Sequence, residues 1–178
     1  MGADKAFLDF GGSTLLERAI AVMREISPKF GIVGDPVKFA AYGDVIADLF
    51  PGCGPLAGIH AALLHSSAEL NLVLAVDMPF VTRELLSFLF SAASETDAIV
   101  VVPRTDRGFQ PLCAVYRRAF APTAGEALRA GKYKIDAVFS GVAVRAVEEK
   151  ELARAGFSER MFFNVNTPGD LGSAKDQR

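Results

Sequence analysis

The chain has 178 residues, of which 51% are hydrophobic and 22% charged, and its 19 basic and 21 acidic side chains leave a net charge of −2. That size and apolar content suit a single domain spanning 1–178 around one core and argue against disorder. The balanced charge gives no basic footprint for nucleic acid and no polybasic membrane patch, and no apolar run approaches the roughly 20 residues of a membrane span.

The start, Met1-Gly2-Ala3-Asp4-Lys5, has no signal-like apolar segment, and Ala6 stands where myristoylation wants a hydroxyl residue. A cytoplasmic protein is therefore expected. Thr14-Leu15-Leu16-Glu17 has capping-box spacing, and Leu15, Leu16, Ala19, Ile20 and Met23 recur at helical intervals. That helix should end near Ser27-Pro28. Phe30 to Val33 reads as a strand, as does Val45-Ile46-Ala47, and Leu56 to Leu64 as a helix with Pro55 in its first turn.

Leu72 to Val76 is an apolar run of the kind expected for a strand covered on both faces. Arg83 to Ala93 reads as a helix, Ala98 to Val102 and Leu112 to Tyr116 as strands, and Ala119 to Ala130 as a helix stopped by Gly131. Val142 to Val147 and Phe162-Phe163 are the remaining strand candidates, and a last helix should follow Thr167-Pro168. This alternation predicts an α/β three-layer sandwich with a mostly parallel, Rossmann-like sheet.

Cys53 and Cys113 have no Cys-x-x-Cys spacing and read as reduced thiols. His60 and His65 have no partners to complete a ligand set, and neither reads as catalytic.

Ligands of open α/β sheets bind beyond the carboxyl ends of the strands, and three polar clusters fall there. Asp77 follows the most apolar strand and could hold a divalent cation or simply cap the next helix. Gly54-Pro55-Leu56-Ala57-Gly58 opens a helix, where glycines allow a ligand close to the backbone or serve a tight turn and helix packing. Asn164 and Asn166 alternate around Val165, which turns both amides to one side as ligand contacts, or else they serve turns and caps.

In this order and spacing the clusters resemble the molybdenum cofactor guanylyltransferase family over nearly the whole chain. The matching pieces are Met1-Gly2-Ala3-Asp4-Lys5, Asp48, Gly54 to Gly58, Asp77-Met78-Pro79-Phe80, Gln110 to Tyr116 and Asn164 to Pro168. The resemblance implies a nucleotide-diphospho-sugar transferase type of fold and the joining of GMP from GTP to molybdopterin or the molybdenum cofactor, with release of pyrophosphate.

It further implies Mg²⁺ on Asp77, a phosphate contact from Lys5, and Asp48, Gly54 and Gly58 along the nucleoside. Gln110, Lys134, Asn164 and Asn166 would face the acceptor, although the lysines around Tyr133 read equally well as solvated surface. Molybdoenzymes or other proteins of cofactor biosynthesis are implied partners. A cytidylyltransferase acting on the same cofactor, or a non-catalytic molybdopterin- or partner-binding module, is the alternative.

Two departures stand out. Gly34 replaces an asparagine common in the family, and the family's first strand with its Leu-Ala-Gly-Gly-x-Ser-x-Arg loop would precede Met1. A gap or a borrowed segment is therefore expected beside Leu72–Val76. Without that loop's backbone donors the chain as it stands should bind GTP weakly, show little transferase activity, and leave Met1 to Lys5 unanchored.

Overall fold

The computed structural model describes residues 4–165 and 170. The predicted capping box forms: the Thr14 side chain accepts from Glu17 N and the Glu17 carboxylate accepts from Thr14 N, opening α1 (Leu15–Ile26). Next come β1 (Gly31–Val33), α2 (Pro36–Phe39), β2 (Asp44–Ile46), α3 (Pro55–His65), β3 (Leu70–Leu74) and α4 (Arg83–Ser94). The chain continues with β4 (Val100–Thr105), β5 (Gly108–Phe109), β6 (Cys113–Arg117), α5 (Phe120–Arg129), α6 (Ile135–Phe139), β7 (Val144–Glu148) and α7 (Glu149–Arg154).

The layers match the expectation, but the strand directions do not. In the five-stranded sheet β3 pairs with β6, and β4 with both β6 and β5, all antiparallel; β7 alone runs parallel to β4. The mostly parallel sheet is thus corrected to a mixed one. Part of the reason is local: a short turn takes the chain from β4 into β5, and strands joined so closely can pair only antiparallel. Alternation along β4 and β6 feeds two cores. Val100, Val102, Ala114 and Tyr116 pack with α3, α5 and α6, whereas Val101, Cys113 and Val115 pack with α4 and α7. Helices therefore cover both faces.

Phe162-Phe163 is not a strand, because a 3-10 turn occupies Glu159–Phe162 and the chain then runs on unpaired in any ladder. The helix expected after Thr167-Pro168 lies outside the described residues. At the other end, Lys5 is anchored, contrary to expectation: a 3-10 turn covers Lys5–Phe7, and Ala6, 2% exposed, packs with Leu16 and Ile20. Among the described residues no helix is long and apolar enough to cross a membrane.

β1 and β2 form a separate parallel pair, and β3 ends the larger sheet. Between them lies a groove of about 290 Å³, lined by all of β1 and by Leu72 to Val76.

Leu86 lies on the sheet-facing side of α4 and is fully buried, whereas Leu64 on α3 is 50% exposed. Leu86→Ala should cost about 2–5 kcal/mol in urea unfolding, as a core truncation does. Leu64→Ala should stay within about 0.5 kcal/mol, and similar losses for the two would contradict this core.

Candidate active site

β3 ends at Leu74 and hands the chain to a short segment pinned by backbone bonds, Ala75 N to Leu112 O at 2.7 Å and Val165 N to Asp77 O at 2.8 Å. These place Asp77 just beyond the carboxyl end of β3 with Asn164 beside it in the chain next to Val165. Asp77 does not cap the following helix. Thr82 does, its hydroxyl accepting from Leu85 N at 3.4 Å.

Lys5 reaches the same place from the opposite end of the chain, its Nζ lying 3.9 Å from Asp77 Oδ2. Its position follows from local chemistry. Asp4 Oδ1 accepts from Ala6 N at 3.2 Å, Lys38 Nζ pairs with Asp4 Oδ2 at 3.2 Å, and Phe7 stacks on Phe39. The Asp77 carboxylate is mostly covered, with 22% of the side chain exposed. Burial pushes its carboxyl pKa above the usual range, and the attraction of Lys5 only partly opposes that shift.

An aromatic ladder holds the segment around Asn164 in place. Phe80 meets Phe10 edge-on at 5.6 Å and Phe163 at 6.3 Å, and the Arg160 guanidinium lies 4.3 Å from the Phe80 ring centre. Arg18 Nη2 adds a bond to Pro79 O at 3.3 Å. Sequence reading missed Phe10, Phe80, Phe163 and Arg160 as supports, because contacts between residues this far apart in the chain leave no periodic signal. The Thr82 cap was legible from Thr-x-x-Leu opening a helix, yet Asp77 drew the attention.

The other expected residues are placed as follows. Gly54 is the N-cap of α3 with φ 76°, a conformation that favours glycine. Gly58 borders the groove together with Val76, and a Cβ there would sit 3.5 Å from Val33, so packing does not demand a glycine. Asp48 Oδ1 accepts from Phe50 N at 2.8 Å, and its charge acts on His60, on the α3–α5 side. Gln110 is buried, and its Nε2 donates to Thr105 Oγ1 at 3.2 Å.

Lys134 is the exposed N-cap of α6, and Cys53, which precedes Gly54, raises the pKa of the neighbouring Tyr133 hydroxyl. Asn166 lies outside the described residues. Lys5 and Asp77 are thus brought together with the segment that carries Asn164, whereas Asp48 acts on His60 of α3 and Lys134 stands beside Tyr133.

His60 is a core residue, edge-on to Phe50 and lowered in pKa by burial, and His65 pairs with Asp44 at 3.0 Å. Both cysteines are free, and burial pushes the Cys113 thiol up to about 12. Among the described residues no group of three or more His, Cys, Asp or Glu could hold a metal. A lone desolvated carboxylate beside a lysine suits a hard cation shared with ligand phosphates, which is how Mg²⁺ is usually held.

A helix-covered mixed sheet with a carboxylate and a lysine at the end of β3 defines an α/β nucleotidyltransferase-like fold. Residues 1–148 match the family model of the MobA-like NTP transferase domain, and the chain belongs to that family. It is 32% identical over 176 residues to the molybdenum cofactor guanylyltransferase of Desulfosudis oleivorans, covering 98% of this chain and 87% of that protein. The crystal structure of molybdopterin-guanine dinucleotide biosynthesis protein A from Archaeoglobus fulgidus superposes with a TM-score of 0.83 at 30% identity, covering 99% of this chain and 91% of that one. The fold is also shared with 2-C-methyl-D-erythritol 4-phosphate cytidylyltransferase from Thermus thermophilus, at TM-score 0.71 and 24% identity.

The raised Asp77 pKa has a stability consequence. Folding favours its protonated form, so the penalty is absent below the ordinary value of 3.8, grows as pH rises, and is complete above the raised folded value. Asp77→Asn should therefore melt at a higher temperature than the parent at pH 7, with the difference vanishing below pH 3.8. A lower melting temperature at pH 7 would mean that Lys5 more than offsets burial.

Proposed function

We propose that this protein transfers GMP from GTP to molybdopterin or the molybdenum cofactor, releasing pyrophosphate. The observation that carries this reading is the half-buried Asp77 carboxylate, 3.9 Å from Lys5 at the end of β3, in a chain of the MobA-like family. The names of its relatives supply the substrates. In the reaction an oxygen of the acceptor's terminal phosphate attacks the α-phosphorus of GTP. The bond from that phosphorus to the bridging oxygen breaks, and pyrophosphate leaves with the electron pair.

The protein's task is then to position the groups and neutralise charge. Lys5 offers a compact positive charge to the phosphates. Asp77 would hold Mg²⁺, which supplies Lewis-acid neutralisation of phosphate charge when bound. Gly54, Gly58 and Asp48 would line the nucleoside, with the positive φ of Gly54 exposing the backbone at the start of α3. Asn164 and Asn166, with Gln110 and Lys134, would meet the acceptor, the asparagine amides both donating and accepting. Two unpaired cysteines fit a reducing, cytoplasmic setting.

The test is pyrophosphate release and mass detection of the guanylylated pterin when the protein is given GTP, Mg²⁺ and molybdopterin. GTP should be used in preference to CTP, and Asp77→Asn should lower the rate about a hundredfold or more. Preference for CTP would make the protein a cytidylyltransferase, and full activity of Asp77→Asn would remove Asp77 from the chemistry.

A further inference from the structure

His60 of α3 is a polar side chain in an apolar place. It is 6% exposed, and its ring stands edge-on to Phe50 at 5.5 Å. Its Nδ1 is buried with no hydrogen-bond partner among the described residues. α5 makes room for the ring at Gly125, where a Cβ would lie 2.9 Å from His60 Nε2 and 3.4 Å from Arg129 Nη1. A leucine would pack in the same notch without an unsatisfied nitrogen, whose burial costs about 1–3 kcal/mol. Packing alone therefore does not account for an imidazole at this position.

The contacts of the ring show where it acts. Phe50 connects His60 to Asp48, since its ring touches the imidazole while its N–H donates to Asp48 Oδ1 at 2.8 Å. Cys53 N donates to Phe50 O at 3.1 Å, so the turn from Asp48 to Cys53 is one hydrogen-bonded unit leading into Gly54. Burial first, and the Arg129 cation of α5 second, push the His60 pKa below the usual 6.5, and the Asp48 carboxylate pulls the other way. The ring is therefore neutral at pH 7 and gains a proton only in more acidic solution.

We propose that His60 is a positioning residue for Asp48: the neutral ring leaves the carboxylate in its own turn, and the protonated ring draws it towards α3. The proposal rests on the reading that Asp48 lines the nucleoside. The carboxylate can accept from Phe50 N or from an imidazolium N–H, and the charged donor makes the stronger bond. Proton uptake at His60 and nucleoside contact at Asp48 thus compete for the same oxygens. Bound nucleotide should in turn make His60 harder to protonate, because the coupling is reciprocal. The only bond formed is the N–H bond that the ring makes with a proton from solvent.

The test compares the parent protein with His60→Leu, which occupies the notch and cannot titrate. In NMR without nucleotide, the Phe50 amide shift of the parent should titrate with the same midpoint as the His60 ring. In His60→Leu it should show no transition at that midpoint. GTP affinity, read by displacement of a fluorescent GTP analogue, should weaken about tenfold more between pH 7.5 and pH 5 in the parent than in the variant. That comparison cancels the titration of the GTP phosphates themselves.

A Phe50 shift that ignores the His60 midpoint, or that persists in His60→Leu, would overturn the proposal. If Phe50 follows His60 while GTP affinity does not, the pairing stands and the assignment of Asp48 to the nucleoside is what fails. If His60→Leu does not fold, the two midpoints in the parent protein still decide.

Discussion

A strand covered by helices on both faces can satisfy its backbone only through its edges, and that constraint organises this molecule. β4 and β6 lie inside the sheet with partners on both sides, and they carry the most completely buried residues, Val100 to Val102 and Cys113 to Tyr116. β3 and β1 are helix-covered in the same manner but have a partner on one edge only. All of β3 and Ile32 and Val33 of β1 are intermediate in exposure, and Gly31 is exposed. The apolar side chains of α1 and α3 that face this region thus hold the two sheets in position across a groove instead of across a continuous ladder.

The same region creates the electrostatics of the active site. Asp77 follows Val76, the last residue to line the groove, and desolvation works against its charge. Protein folding alone would favour an uncharged residue there. Lys5 and the residue's own backbone N–H act on the carboxylate, while the Val165 bond to its carbonyl and the Phe10–Phe80–Phe163 ladder under Arg160 hold the neighbouring backbone. Lys5 is the one cation recorded within ion-pair distance among the described residues, and at 3.9 Å it is a loose partner. A loosely paired, desolvated carboxylate retains more affinity for an incoming cation than one already satisfied by a bidentate arginine would.

Local signals in the sequence located most of the elements. Thr14 to Glu17 fixed the start of α1 because a capping box needs only four residues, and Pro55 and Gly131 marked helix ends for equally local reasons. Strand direction was not legible. A run such as Leu112 to Tyr116 is equally apolar in either orientation, and antiparallel order came in part from the tight β4–β5 turn before Gly108. Phe162-Phe163 misled because aromatic residues favour strands, whereas here Phe163 joins an aromatic cluster through its side chain and needs no ladder. At the site, Lys5, Asp77 and Asn164 were legible as motif residues. Their convergence depends on a backbone bond between residues 77 and 165, which no spacing encodes.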